Sequence, residues 1–96
     1  MCGLAGVIGT NLGIGEFEAF QELMTISTIR GKEGAGVATA FKNGDIKTHR
    51  TMQTGAHLVY GQRINSLSKE LNNITAFSGH CRWPTKGGNH LGAVHP

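Results

Sequence analysis

The dipeptide Asn43-Gly44 constrains this chain more than any other pair of residues. It stands between GVATAF at 36–41 and DIKTHR at 45–50. Asn-Gly is the strongest short-range signal for a two-residue hairpin, because a type I′ turn needs positive φ at both central positions. Strands joined in this way are antiparallel, so an antiparallel pair is the frame that the remaining elements must fit. Two more strands are predicted. Residues 4–8 form an apolar run flanked by Gly3, Gly6 and Gly9 and read as a buried strand; residues 74–77 lead into Ser78-Gly79-His80-Cys81-Arg82-Trp83. Residues 16–29 have helical spacing, with Phe17, Phe20, Leu23, Met24 and Ser27 on one face. Glu16 and Glu18 suit the first turn, and Gly31 is placed like a C-terminal cap. Residues 63–71 predict a shorter helix through Ile64, Leu67 and Leu71. Residues 51–61 show no dominant period, and 84–96 read as loop.

Length and composition narrow the function classes. A chain of 96 residues holds one domain at most. With 39% hydrophobic and 16% charged residues it is not a disordered chain. The net charge of +3 comes from scattered Lys and Arg, without a basic run or aromatic interleaving, which gives nucleic-acid binding little support. No run is long enough to span a membrane, and no secretory leader is visible. Cys2 and Cys81 do not make a disulfide scaffold, so a cytoplasmic location is expected.

Chemistry concentrates in a few places. The small Cys2 after Met1 allows trimming of the methionine, which would leave one residue bearing both a thiol and a free α-amine. A thiolate is the strong nucleophile of cysteine chemistry, and an α-amine titrates at about 7.7–8.0, near enough to neutrality to serve as its base. The tripeptide alone favours the plainer reading of a small apolar residue leading into a strand. Arg30-Gly31-Lys32-Glu33-Gly34-Ala35-Gly36 is a tight helix-to-strand turn, or a place where backbone amides approach a ligand; it lacks the spacing of a phosphate loop. In Gly79 to Gly87, Arg82 at a strand end could clamp a carboxylate with help from the Thr85 hydroxyl, or simply lie beside a half-buried Trp83. His80, Cys81, His90 and His95 offer zinc-ligand types, but adjacent strand residues point to opposite faces and no Cys-x-x-Cys pair is present.

In their order, four blocks resemble the glutaminase domain of class II glutamine amidotransferases, within the N-terminal nucleophile hydrolases, with the look of the glucosamine-6-phosphate synthase branch. They are Met1-Cys2-Gly3-Leu4-Ala5-Gly6-Val7, Arg30-Gly31 with Gly34-Ala35-Gly36-Val37-Ala38, Gly79 to Gly87, and His95-Pro96. The resemblance implies an α+β fold: residues 1–96 would be the N-terminal part of a four-layer αββα sandwich of antiparallel sheets. It implies that Cys2 attacks the side-chain amide of glutamine and releases ammonia for an acceptor. Arg82 would hold the substrate α-carboxylate, Trp83 and Thr85 would line the pocket, and Arg30 and Gly31 would form the turn packed against the nucleophile strand. No cofactor or metal is implied. The implied partners are glutamine and a synthase or acceptor domain. The oxyanion-hole Asn-Gly and the ammonium-binding acid of that family would lie beyond Pro96, so a fragment or one piece of a split enzyme is expected. The alternative function is a non-catalytic glutamine-binding or assembly module.

Overall fold

A computed structural model describes residues 2–82 of the chain. Four strands, β1 (Gly3–Ile8), β2 (Ala35–Phe41), β3 (Ile46–Thr51) and β4 (Ile74–Cys81), form one sheet in the order β1-β4-β2-β3 with every neighbouring pair antiparallel. Three helices, α1 (Ile14–Ser27), α2 (Gly55–Tyr60) and α3 (Gln62–Asn65), accompany it. Turns of 3-10 helix over Ser66–Asn73, kinked at Glu70, link α3 to β4. The described residues thus form a small α+β unit with one sheet; they do not begin two.

The hairpin is present, but its turn differs from the expected type I′. Phe41 N–H donates to Asp45 O at 2.8 Å and Gly44 N–H to Phe41 O at 3.0 Å, so Lys42, Asn43 and Gly44 form a three-residue loop. Gly44 is at φ +95°, whereas no non-glycine residue has positive φ among the described residues. This is a type I turn followed by a left-handed glycine, the second standard hairpin geometry. Asn43 serves through its side chain instead: its Oδ1 accepts from Asp45 N–H at 2.9 Å.

Helix α1 supplies the core with Phe17, Phe20, Gln21 and Met24, the i, i+3, i+4, i+7 stripe. Leu23, expected on this face, is 42% exposed. Gln21 takes the inward position because its amide is satisfied there, donating to Val59 O at 2.9 Å and Asn65 Oδ1 at 3.0 Å. Phe77 of β4 meets Phe17 and Phe20 with ring centroids 5.4 and 5.2 Å away. A Cβ on Gly79 would strike the Met24 side chain, so the helix lies directly on β4. The helix starts with Gly13 N–H donating to the Glu16 carboxylate at 2.7 Å, and ends in overlapping tight turns through Gly31.

The opposite face of the sheet is less covered. β1 was expected to be buried, but it is an edge strand among the described residues, with Leu4 77% and Ile8 85% exposed. The reason is period two in a strand that, among the described residues, has helices on one side: Gly3, Ala5 and Val7 turn toward α1, and Leu4 and Ile8 turn away.

Candidate functional site

Strand register brings the two chemically distinctive ends of the chain together. β1 pairs with β4 from Gly3↔Cys81 to Ile8↔Ala76. Cys2 and Arg82 are the residues that flank the last pair of this ladder, Gly3↔Cys81. The ladder continues on the other side, where Arg82 N–H donates to Gly34 O at 2.8 Å and Glu33 N–H donates to Arg82 O at 3.0 Å. Arg82 is therefore fixed by backbone bonds to the Gly31–Gly34 turn and is buried, while Cys2 is exposed. Cys2 borders a groove of about 350 Å³ with Leu4, Ile26, Ser27 and Arg30, between the start of β1 and the end of α1.

The glycines of this region have local steric reasons. A Cβ on Gly31 would lie against the Cys81 carbonyl oxygen, 2.5 Å from Cys81 C and 2.6 Å from Arg82 C. Gly31 is not the left-handed helix cap expected from its position, since only Gly34 (φ +143°) and Gly44 have positive φ among the described residues. It is glycine because two backbones touch there. A Cβ on Gly3 would in turn sit 2.7 Å from Ser27 Cβ and 2.8 Å from Ser27 O, so β1 begins hard against the last residue of α1.

Cys81 and His80 separate as adjacent strand residues do. Cys81 faces α1, where its Sγ donates to Met24 O at 3.6 Å. Burial pushes this thiol up from its ordinary value, against the opposing hydrogen bonds of Thr28 and Gly55 and with a small addition from Cys2. Cys81 is thus a neutral packing residue and not a second nucleophile. No group of three or more His, Cys, Asp or Glu that could hold a metal ion occurs among the described residues. The zinc alternative loses the His80–Cys81 pairing on these grounds. Trp83, Thr85, His90 and His95 lie outside the described residues, so of the expected substrate-binding residues only Arg82 is placed. Ile26 and Ser27 beside Cys2 had no signal in the chain's pattern, because nothing in a helical period tells which turn will abut a strand.

The fold and this site define a small α+β unit with a one-sided antiparallel sheet and a cysteine at one sheet end. No family model matches the chain, and no curated protein matches it. A solved structure described as a complex of beta-clamp processivity factor and little finger domain of PolIV is similar, with a TM-score of 0.54, 14% identity, and coverage of 91% of this chain and 94% of that one. At that identity the likeness is one of fold alone. It corrects the resemblance drawn from the four sequence blocks: the structure matched is not a glutaminase domain, and the assignment to class II glutamine amidotransferases does not stand. Short glycine-rich blocks misled because their glycines answer local needs, namely backbone contact at Gly31, positive φ at Gly34 and the seat of Met24 at Gly79.

Proposed function

We propose that this chain hydrolyses the side-chain amide of glutamine, with Cys2 as nucleophile once Met1 is removed. The observation that carries this reading is the β1–β4 register, whose last pair, Gly3↔Cys81, is flanked in sequence by Cys2 on one strand and Arg82 on the other. A free amino acid presents a carboxylate within a few bonds of its side-chain amide, and the guanidinium of Arg82, whose main chain is pinned to the 31–34 turn, is the cation that would take that carboxylate through paired hydrogen bonds. The Cys2 thiolate attacks the amide carbon, its proton having passed to the α-amine. The C–N bond breaks as that proton goes to nitrogen, and ammonia leaves. Water then hydrolyses the thioester to glutamate and regenerates the thiol. Ammonia would pass to an acceptor domain or a complementary chain. The finer architecture belongs to the same proposal: a second antiparallel sheet with its own helices, laid over the face that carries Leu4 and Ile8, would complete a four-layer αββα sandwich and shelter the thioester from solvent.

A second reading, a non-catalytic assembly module, is favoured by the exposure of Leu4 and Ile8 along an edge strand. One experiment separates the two. Intact-mass spectrometry of the purified chain is expected to show loss of Met1, and incubation with an electrophilic chloroketone analogue of glutamine to give one adduct on Cys2. Excess glutamine should block that adduct, and Arg82→Met should abolish the protection with circular dichroism unchanged. Retained Met1, or labelling indifferent to glutamine, overturns the catalytic reading.

A further inference from the structure

A second cleft lies well away from Cys2. It is formed where the end of β3, with Arg50 and Met52, faces the junction of α2 and α3, with His57, Leu58, Gln62 and Arg63, and its volume is about 620 Å³. The junction is built tightly. Gly61 ends α2 with its N–H on Leu58 O at 3.2 Å and starts α3 with its carbonyl accepting from Asn65 N–H at 2.9 Å. A Cβ at Gly61 would sit 3.0 Å from His57 O. This sharp break turns Gln62 and Arg63 back toward Arg50.

Among the described residues the lining holds two arginines and a histidine but no Asp or Glu. Lys47 and His49 lie just behind on the same strand. Asp45 and Glu70 border a different cleft, around Lys42 and Lys47. The unbalanced charge is felt by His49. Its imidazole is held below its ordinary pKa first by burial, then by Arg63 and Lys47, and its buried Nδ1 has no hydrogen-bond partner among the described residues. Two guanidiniums sharing one cleft without a carboxylate repel each other, and an anion with several acceptor oxygens removes that repulsion. Guanidinium forks match phosphate oxygens in pairs. The cleft is of the size that takes a small molecule, and Met52 and Leu58 supply apolar wall for a carbon body.

We propose that the cleft between the end of β3 and the α2–α3 junction binds a small phosphomonoester, with Arg50 and Arg63 on the phosphate and Met52 and Leu58 against the organic body. The site is independent of the chemistry assigned to Cys2. It is tested on the 96-residue chain by NMR titration with phenyl phosphate and with inorganic phosphate, against sodium chloride at matched ionic strength. Saturable shifts are expected at Arg50, His57, Gln62 and Arg63 with both phosphates, phenyl phosphate binding more tightly. Arg50→Ala and Arg63→Ala are each expected to weaken binding about tenfold or more, as loss of a charged hydrogen-bond pair does. Both side chains are exposed, so both variants should keep the wild-type spectrum elsewhere. Arg63→Lys keeps the charge and loses the fork, and should fall between. Binding should also raise the His49 imidazole pKa, because the anion offsets Arg63. Equal affinity for the two phosphates would leave a free-phosphate site and overturn the organic-body part. Equal shifts with chloride, unchanged binding in both alanine variants, or binding of an oligonucleotide without binding of either phosphate, would overturn the proposal as a whole.

Discussion

At the scale of single residues, the clearest test is the contrast among three glycines. Gly31→Ala places a methyl group against backbone atoms of Cys81 and Arg82, which have no side-chain freedom to give way. The expected cost is about 1–3 kcal/mol, the range for overpacking, read from urea unfolding. Gly79→Ala meets chiefly the Met24 side chain, a flexible thioether, and should cost less than Gly31→Ala. Gly15→Ala meets nothing within 4 Å in the first turn of α1 and should stabilise by up to about 1 kcal/mol. If Gly31→Ala proved as mild as Gly15→Ala, the close packing of the 31–34 turn on β4 would be wrong, and with it the support for Arg82. This distinction was not legible in the sequence. Gly31 was visible as a glycine after a helix, but whether it answered to backbone conformation or to a neighbour depended on a strand fifty residues away.

At the scale of elements, the face of α1 decides the core. Gln21→Ala removes the two donors that reach Val59 O and Asn65 Oδ1, and is expected to cost roughly 1–3 kcal/mol. Leu23→Ala, on the exposed side, should stay within about 0.5 kcal/mol. Chemical denaturation of both variants checks this, and the reverse order would restore the hydrophobic face read from the sequence. The elements with a strong period were legible: α1, β2, β3 and the strand leading to Arg82 fall within a few residues of their expected positions. Helix α2 was not, because six residues opening on Gly55 are too few to show a 3.6-residue period. Its one local sign was Thr54, whose hydroxyl accepts from His57 N–H at 3.1 Å as an N-cap. The expected helix over 63–71 became one turn of α-helix and then 3-10 turns, since its three apolar residues fit either winding. The pairing of Gly3 with Cys81, which brings the neighbourhoods of Cys2 and Arg82 to one sheet end, was beyond sequence reasoning, because register belongs to two strands at once.

At the scale of the whole molecule, no helix among the described residues is long and apolar enough to cross a membrane. Stability is expected to peak between two titrations. The depressed pKa of His49 means that the unfolded chain binds the proton first, so the stability it contributes is present above about pH 6.5 and is lost as pH falls through the folded value. The raised pKa of Cys81 gives the opposite sign: its contribution is complete below about pH 8.5 and declines as pH rises through the folded value. Urea midpoints at pH 5, 7.5 and 10 should therefore be highest at the middle value. His49→Gln should flatten the acid limb and Cys81→Ala the alkaline limb. If neither limb responds, these groups are not as enclosed as the fold has them. The sheet order carries one last consequence. β4 is the latest of the four strands to be synthesised, yet it lies between β1 and β2. While the chain is being made, β1 has no neighbour to hold it, and the β2–β3 hairpin stands by itself. A ribosome must release residue 81 before Gly3 acquires its partner, so the sheet end beside Cys2 is completed only after the middle of the sheet has been threaded, and the order of translation itself delays it until then.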